Sequence, residues 1–149
     1  MTEIQVAGKK CSLSSTIIGY GVKFPYSGEK DWTKHNKFKV TVCCKNGDET
    51  CESFNYHTSH VDWQANRTKM SDEDRQYAFR AFLDDAIAGM SPFDEFCSEF
   101  GYDCYGEDSG RAKRVHNSVK ASLRKAKALG FSEDELYKAL EELSEAGIE

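Results

Sequence analysis

Between Arg111 and Gly130 the chain carries seven basic side chains and no acidic one. The rest of the sequence balances it: residues 111–130 carry a net +7 and residues 1–60 a net +2, against −8 for 61–110 and −6 for 131–149. A helix-length run of one sign is solvated, paired with nearby carboxylates, or offered to a partner. Plotted at about 100° per residue, Ala112, Val115, Val119, Leu123 and Ala126 make an apolar stripe, and Lys113, Lys120, Arg124 and Lys127 fall together on the outward side. Such a row could contact phosphates, with salt-sensitive and sequence-independent affinity. Many of the acids sit near expected helix starts, where they complement the helix dipole. Asp84, Asp85, Glu99, Glu141, Glu142 and Glu145 have no such role and are the candidates for contact with a basic partner.

Catalytic patterns are missing from the chain. There is no phosphate-binding glycine loop, no G-x-S-x-G elbow and no H-E-x-x-H. Gly19-x-Gly21 lacks the third glycine and the helix after it. Asp84 and Asp85 are neighbours on one helix and point in different directions, and His116 sits at the edge of an apolar stripe as a packing residue. No enzymatic activity and no cofactor are expected. The six cysteines form no C-x-x-C pair, and Met1-Thr2-Glu3 begins no apolar leader. The thiols are therefore expected to be reduced and the protein cytoplasmic, with no membrane partner. Cys51, His57 and His60 are read as polar residues near a strand exit, so no metal site is expected.

The length of 149 residues suits one domain. The composition divides it into a β-rich first half and a helical second half, an α+β fold with a small antiparallel sheet of about three strands against about four helices. Thr16 to Val22 is strand-like but broken by Gly19 and Gly21, and Pro25 to His35 reads as an exposed loop. Phe38 to Cys44 alternates with period two and returns through Thr50 to His57. A two-residue turn would place Phe38 opposite Asn55. A three-residue turn puts Phe38 opposite Phe54, keeps both on one face and is preferred; it leaves Cys51 diagonal to Cys43.

Ser71 is placed to cap a helix with the apolar stripe Ala78, Phe79, Phe82, Leu83, Ala86 and Ile87. Ser91-Pro92 should open a short helix carrying Phe93, Phe96, Cys97 and Phe100 into the core and stopping at Gly101. Ser109 should cap the basic helix, which ends at Gly130. Ser132-x-x-Glu135 is a capping box with Phe131 and Leu136 as its hydrophobic staple.

The stretch Phe93-Asp-Glu-Phe96-Cys97-Ser-Glu99-Phe100-Gly101-Tyr102-Asp103, followed by Ser109 and a helix with Ala112, resembles a box of small uncharacterised phage and prophage proteins. The resemblance covers roughly residues 36–129, and Cys104 to Glu107 departs from it as an insertion. It implies a phage protein that evades host defence. By analogy with anti-CRISPR proteins, it implies a non-enzymatic inhibitor whose charged surfaces contact a host Cas nuclease in the host cytoplasm. Direct nucleic-acid binding by the basic helix, or a phage scaffold or assembly role, are the alternatives.

Overall fold

The computed structural model describes residues 1–25, 32–58, 70–107 and 109–145. Four strands, β1 (Thr2–Val6), β2 (Lys9–Pro25), β3 (Trp32–Asn46) and β4 (Asp48–Thr58), form an antiparallel meander in sequence order. Four helices follow: α1 (Asp72–Ala88), α2 (Phe93–Phe100), α3 (Ser109–Ala128) and α4 (Glu133–Glu145). The expected α+β class holds, with four strands rather than three. The extra strand comes from a tight hairpin in which Ala7 and Gly8 both take positive φ, 49° and 75°. Two such residues twist the chain as the flanking strands require, so Val6 pairs directly with Lys9.

Two other expectations about the sheet need correction. Both ends of the region from Pro25 to His35 are strand: β2 runs through Pro25 and β3 starts at Trp32, while residues 26–31 lie outside the described set. Gly19 marks register shifts inside β2 rather than an end to it. The β3–β4 hairpin closes around Gly47, so Phe38 faces Tyr56 and Val40 faces Phe54. That is two residues from the preferred register, and a slip of two preserves the face of every side chain. Phe38, Val40, Phe54 and Tyr56 therefore all point to the helices, as the alternation required, and Phe54 stacks on Phe82 of α1 with ring centroids 4.6 Å apart.

The helices cover one face of the sheet. Leu13, Val42, Phe79, Leu83, Phe131 and Leu136 are buried together in the core that joins strands to α1, α3 and α4. Helix α1 packs between α3 and α4. Ser71 caps α1, its hydroxyl accepting the Asp74 N–H. The capping box of α4 forms in both directions: Glu135 N–H donates to Ser132 Oγ, and Ser132 N–H donates to Glu135 Oε1. Helix α2 starts one residue later than expected, with Pro92 at the cap, and ends at left-handed Gly101. Phe96 and Cys97 are buried there, but Phe100 is 54% exposed instead of entering the core.

All six cysteines are paired, as Cys11–Cys44, Cys43–Cys51 and Cys97–Cys104. This overturns the reduced-thiol expectation. Its cause is the register: Cys11 lies opposite Cys44 on the buried face, and Cys43 lies opposite Cys51, rather than diagonal to it, on the open face. Directly opposed residues bring their Cβ atoms near enough for the two sulfurs to bond, while Cys97–Cys104 lies outside the sheet and joins α2 to the chain after it. Among the described residues, no helix is long and apolar enough to cross a membrane.

Candidate functional site

Helix α3 is held by features that leave its basic row outside. Ala112, His116, Val119 and Ala126 face inward. Gly89 ends α1 against this helix, where a Cβ would collide with the Val119 carbonyl. His116 is buried between the rings of Phe93 and Phe96, at 5.5 and 4.9 Å between centroids. Its Nε2 lies 2.8 Å from the Ser91 carbonyl oxygen, which only accepts, so Nε2 carries the proton and ties α3 to the α1–α2 connection. At the far end Gly130 takes a φ of 100°. The Phe131 and Gly130 N–H groups then close the helix on the Ala126 and Lys127 carbonyls.

Three of the seven basic side chains are engaged internally. Lys125 donates to the Ser53 carbonyl of β4 at 2.7 Å. Lys127 pairs with Glu133 at 3.6 Å, both half exposed. The Arg111 guanidinium lies over the Tyr102 ring at 5.8 Å. Among the described residues, Lys113, Arg114, Lys120 and Arg124 make no ion pair, and Arg114 lies beside the outward row rather than in it. Lys113 and Lys120 border a depression of about 590 Å³ between α3 and the chain linking α1 to α2, with Met90, Phe93 and Asn117 on its walls. The outward row is thus three cations and a fourth already paired.

The acidic candidates do not assemble into one surface. Glu142 is half buried, and its Oε2 accepts the Ala7 N–H at 2.7 Å, so it braces the first hairpin. Asp84 on α1, and Glu141 and Glu145 on α4, are exposed on neighbouring helices. Glu99 is exposed on α2, which packs on α3 instead. Asp85 lines a cleft of about 260 Å³ between α1, α3 and β4, with Lys125, Tyr56 and Ser118. Burial, and secondarily the Asp84 charge, push its carboxyl up to about 6. Burial also pushes the Tyr56 phenol up to about 12, helped by Tyr77 and Asp74.

Three constellations were beyond reach of the sequence alone. Lys9, 5% exposed, donates to Glu135 Oε2 at 2.7 Å and lies over the Phe131 ring. With the Ser132 N–H also donating, this holds the Glu135 carboxyl down to about 2. On the open sheet face, Glu3, Ser12, Cys43 and Cys51 stand directly opposite one another across the four strands. Glu49 belongs to the adjacent row, and its carboxylate and the sulfurs of Cys43 and Cys51 all lie within 4.8 Å of one another. The Cys51–His57–His60 grouping does not form: six residues of extended β4, roughly 20 Å, separate Cys51 from His57, and His60 lies outside the described residues. No protein family, curated protein or solved structure matches the chain.

Proposed function

We propose that the protein acts by binding, and that the outward row of α3, with Lys113 and Arg124 exposed and Lys120 half buried, is its contact surface for the phosphate backbone of nucleic acid. The observation that carries this is the unpaired state of Lys113, Lys120 and Arg124 on a helix with no acidic residue from 111 to 130. At about 1.5 Å per residue these three cations span roughly 16 Å, long enough to follow two or three phosphates of one strand. A net charge of −12 over the rest of the chain, against −5 for the whole, repels DNA and confines contact to this face.

Three phosphate contacts on duplex DNA give a log–log salt slope of about −2.7, or roughly a 40-fold loss of affinity between 50 and 200 mM salt. Fluorescence anisotropy with a labelled duplex measures it. The K113E/K120E/R124E variant should lose binding, while K127E, whose lysine is already paired, should lose much less. Absence of binding at 50 mM salt, or an unchanged slope in the triple variant, overturns the proposal.

One feature favours the second reading, a phage inhibitor that docks on a basic surface of a host nuclease of the Cas type. The Cys97–Cys104 bond ties the chain after α2 into a short loop, and both Phe100 within it and Tyr105 just after it are exposed, at 54% and 92%. Glu95, Glu99, Asp103 and Glu107 surround them in sequence and are exposed. Preordered aromatic anchors with an acidic rim suit a cationic protein surface. The same salt titration separates the two readings, because a purely protein-docking chain has no DNA affinity to lose.

A further inference from the structure

We propose that reduction of the Cys43–Cys51 bond converts the open sheet face into a site for a zinc-like divalent cation, held by the two cysteine sulfurs and the Glu49 carboxylate. The register makes the site. Cys43 and Cys51 face each other on adjacent strands with Cα atoms 4.1 Å apart, and Glu49 precedes Cys51 by two residues on the same face. Two sulfurs sharing a tetrahedral zinc stand roughly 3.7 Å apart, from bonds of about 2.3 Å. Cβ atoms of a bonded pair, about 3.5–4.5 Å apart, allow that separation by side-chain rotation alone. The Glu49 oxygen is already within 4.8 Å of both sulfurs.

Charge and access agree with the assignment. Two thiolates, one carboxylate and a dication leave a net charge of −1 beside Lys45, which pairs across the strands with Glu49 and with Lys10. A depression of about 670 Å³, bordered by Cys43, Glu49, Lys45 and Ser12, gives an entry path and room for water as the fourth ligand. Sulfur and carboxylate donors together suit zinc better than magnesium or calcium.

Exposure also selects which bond opens. Cys51 is the one exposed cysteine; Cys43 and Cys104 are half buried, and Cys11, Cys44 and Cys97 are no more than 3% exposed. An external dithiol attacks the Cys51 sulfur, forming a mixed disulfide and breaking the Cys43–Cys51 bond. Its second thiol closes the reagent's own disulfide and releases Cys51. Two electrons and two protons thereby pass from the dithiol to the cysteine pair. Cation binding then displaces the two thiol protons.

The test uses the full chain, treated with limiting dithiothreitol under native conditions. Alkylation and peptide mapping should find Cys43 and Cys51 modified first. Zinc titration against a chromophoric chelator should then show one site per chain, absent from the oxidised protein, and cobalt should give a thiolate-to-metal absorption band. E49Q should weaken zinc at least 10-fold, a loss at the low end for disturbing a metal's ligand set. C43S/C51S should abolish binding, and C97S/C104S should retain it. Zinc binding that survives C43S/C51S, an unchanged affinity in E49Q, or initial opening of another disulfide overturns the proposal. E49Q touches no cysteine, so it keeps the test valid if C43S/C51S fails to fold.

Discussion

Replacing Glu135 with Gln removes one charge and leaves the α4 capping box chemically able to form, because glutamine serves at that position as well as glutamate. What is lost is the carboxylate facing the Lys9 ammonium, which is 94% withdrawn from solvent. The Glu135 carboxyl is held at about 2 against an ordinary 4.5, the Lys9 hydrogen bond being the largest cause. At about 1.36 kcal/mol per pH unit this interval is worth at most ~3.4 kcal/mol. A third of the Glu135 side chain remains exposed, and screening reduces the expected loss to about 1–2 kcal/mol.

The pH dependence has a definite sign. A carboxyl held low when folded contributes fully above its unfolded value, and the contribution disappears as pH falls through the folded one. Wild type should therefore exceed E135Q by about 1–2 kcal/mol at pH 7, and the two should converge between about pH 4.5 and pH 2. Urea unfolding followed by circular dichroism at steps from pH 7 to pH 2.5 measures both quantities. A difference that stays constant over that range, or none at pH 7, refutes the assignment of the stabilisation to ionised Glu135.

Asp85 should behave in the opposite sense. Its carboxyl is raised when folded, so the ionised form costs stability above about pH 6 and nothing below about pH 4, where it is protonated in both states. The side chain keeps more solvent access than so large a desolvation implies, so D85N should gain only about 1 kcal/mol at pH 7, visible as a higher Tm that returns to wild type by pH 4. Gly89→Ala should cost about 1–3 kcal/mol in the urea midpoint, since its methyl group meets the Val119 backbone; a neutral result would mean that α1 and α3 do not approach as described.

Signals confined to a few residues were legible in the sequence. Ser71, the Ser132–Glu135 box and the terminators Gly101 and Gly130 each act within one helical turn, and all appear as read. Face assignment on β3 and β4 was equally local, because alternation sets it regardless of partner. Register was not, since a slip of two leaves alternation unchanged and only long-range packing, such as Phe54 on Phe82, selects between the choices. The disulfides inherit that ambiguity, and the pairing of Cys11 with Cys44 depends on it across 33 residues. β1 was missed because Ala7-Gly8 is not a usual hairpin dipeptide. The basic row was legible as a stripe. Glu142 was not, because its partner is a backbone N–H 135 residues away.

Cys43 and Cys44 are adjacent, yet one bond leaves through the open face toward β4 and the other through the buried face toward β2. The two bridges overlap along the chain, so a single backbone scission anywhere between Cys11 and Cys51 still leaves one connected molecule. A scission between Thr58 and Phe93 instead leaves no covalent link between the sheet and the last three helices. The oxidised strands thus form a closed covalent loop system, whereas those helices are attached to it by one peptide strand, by packing and by polar contacts such as Lys9–Glu135.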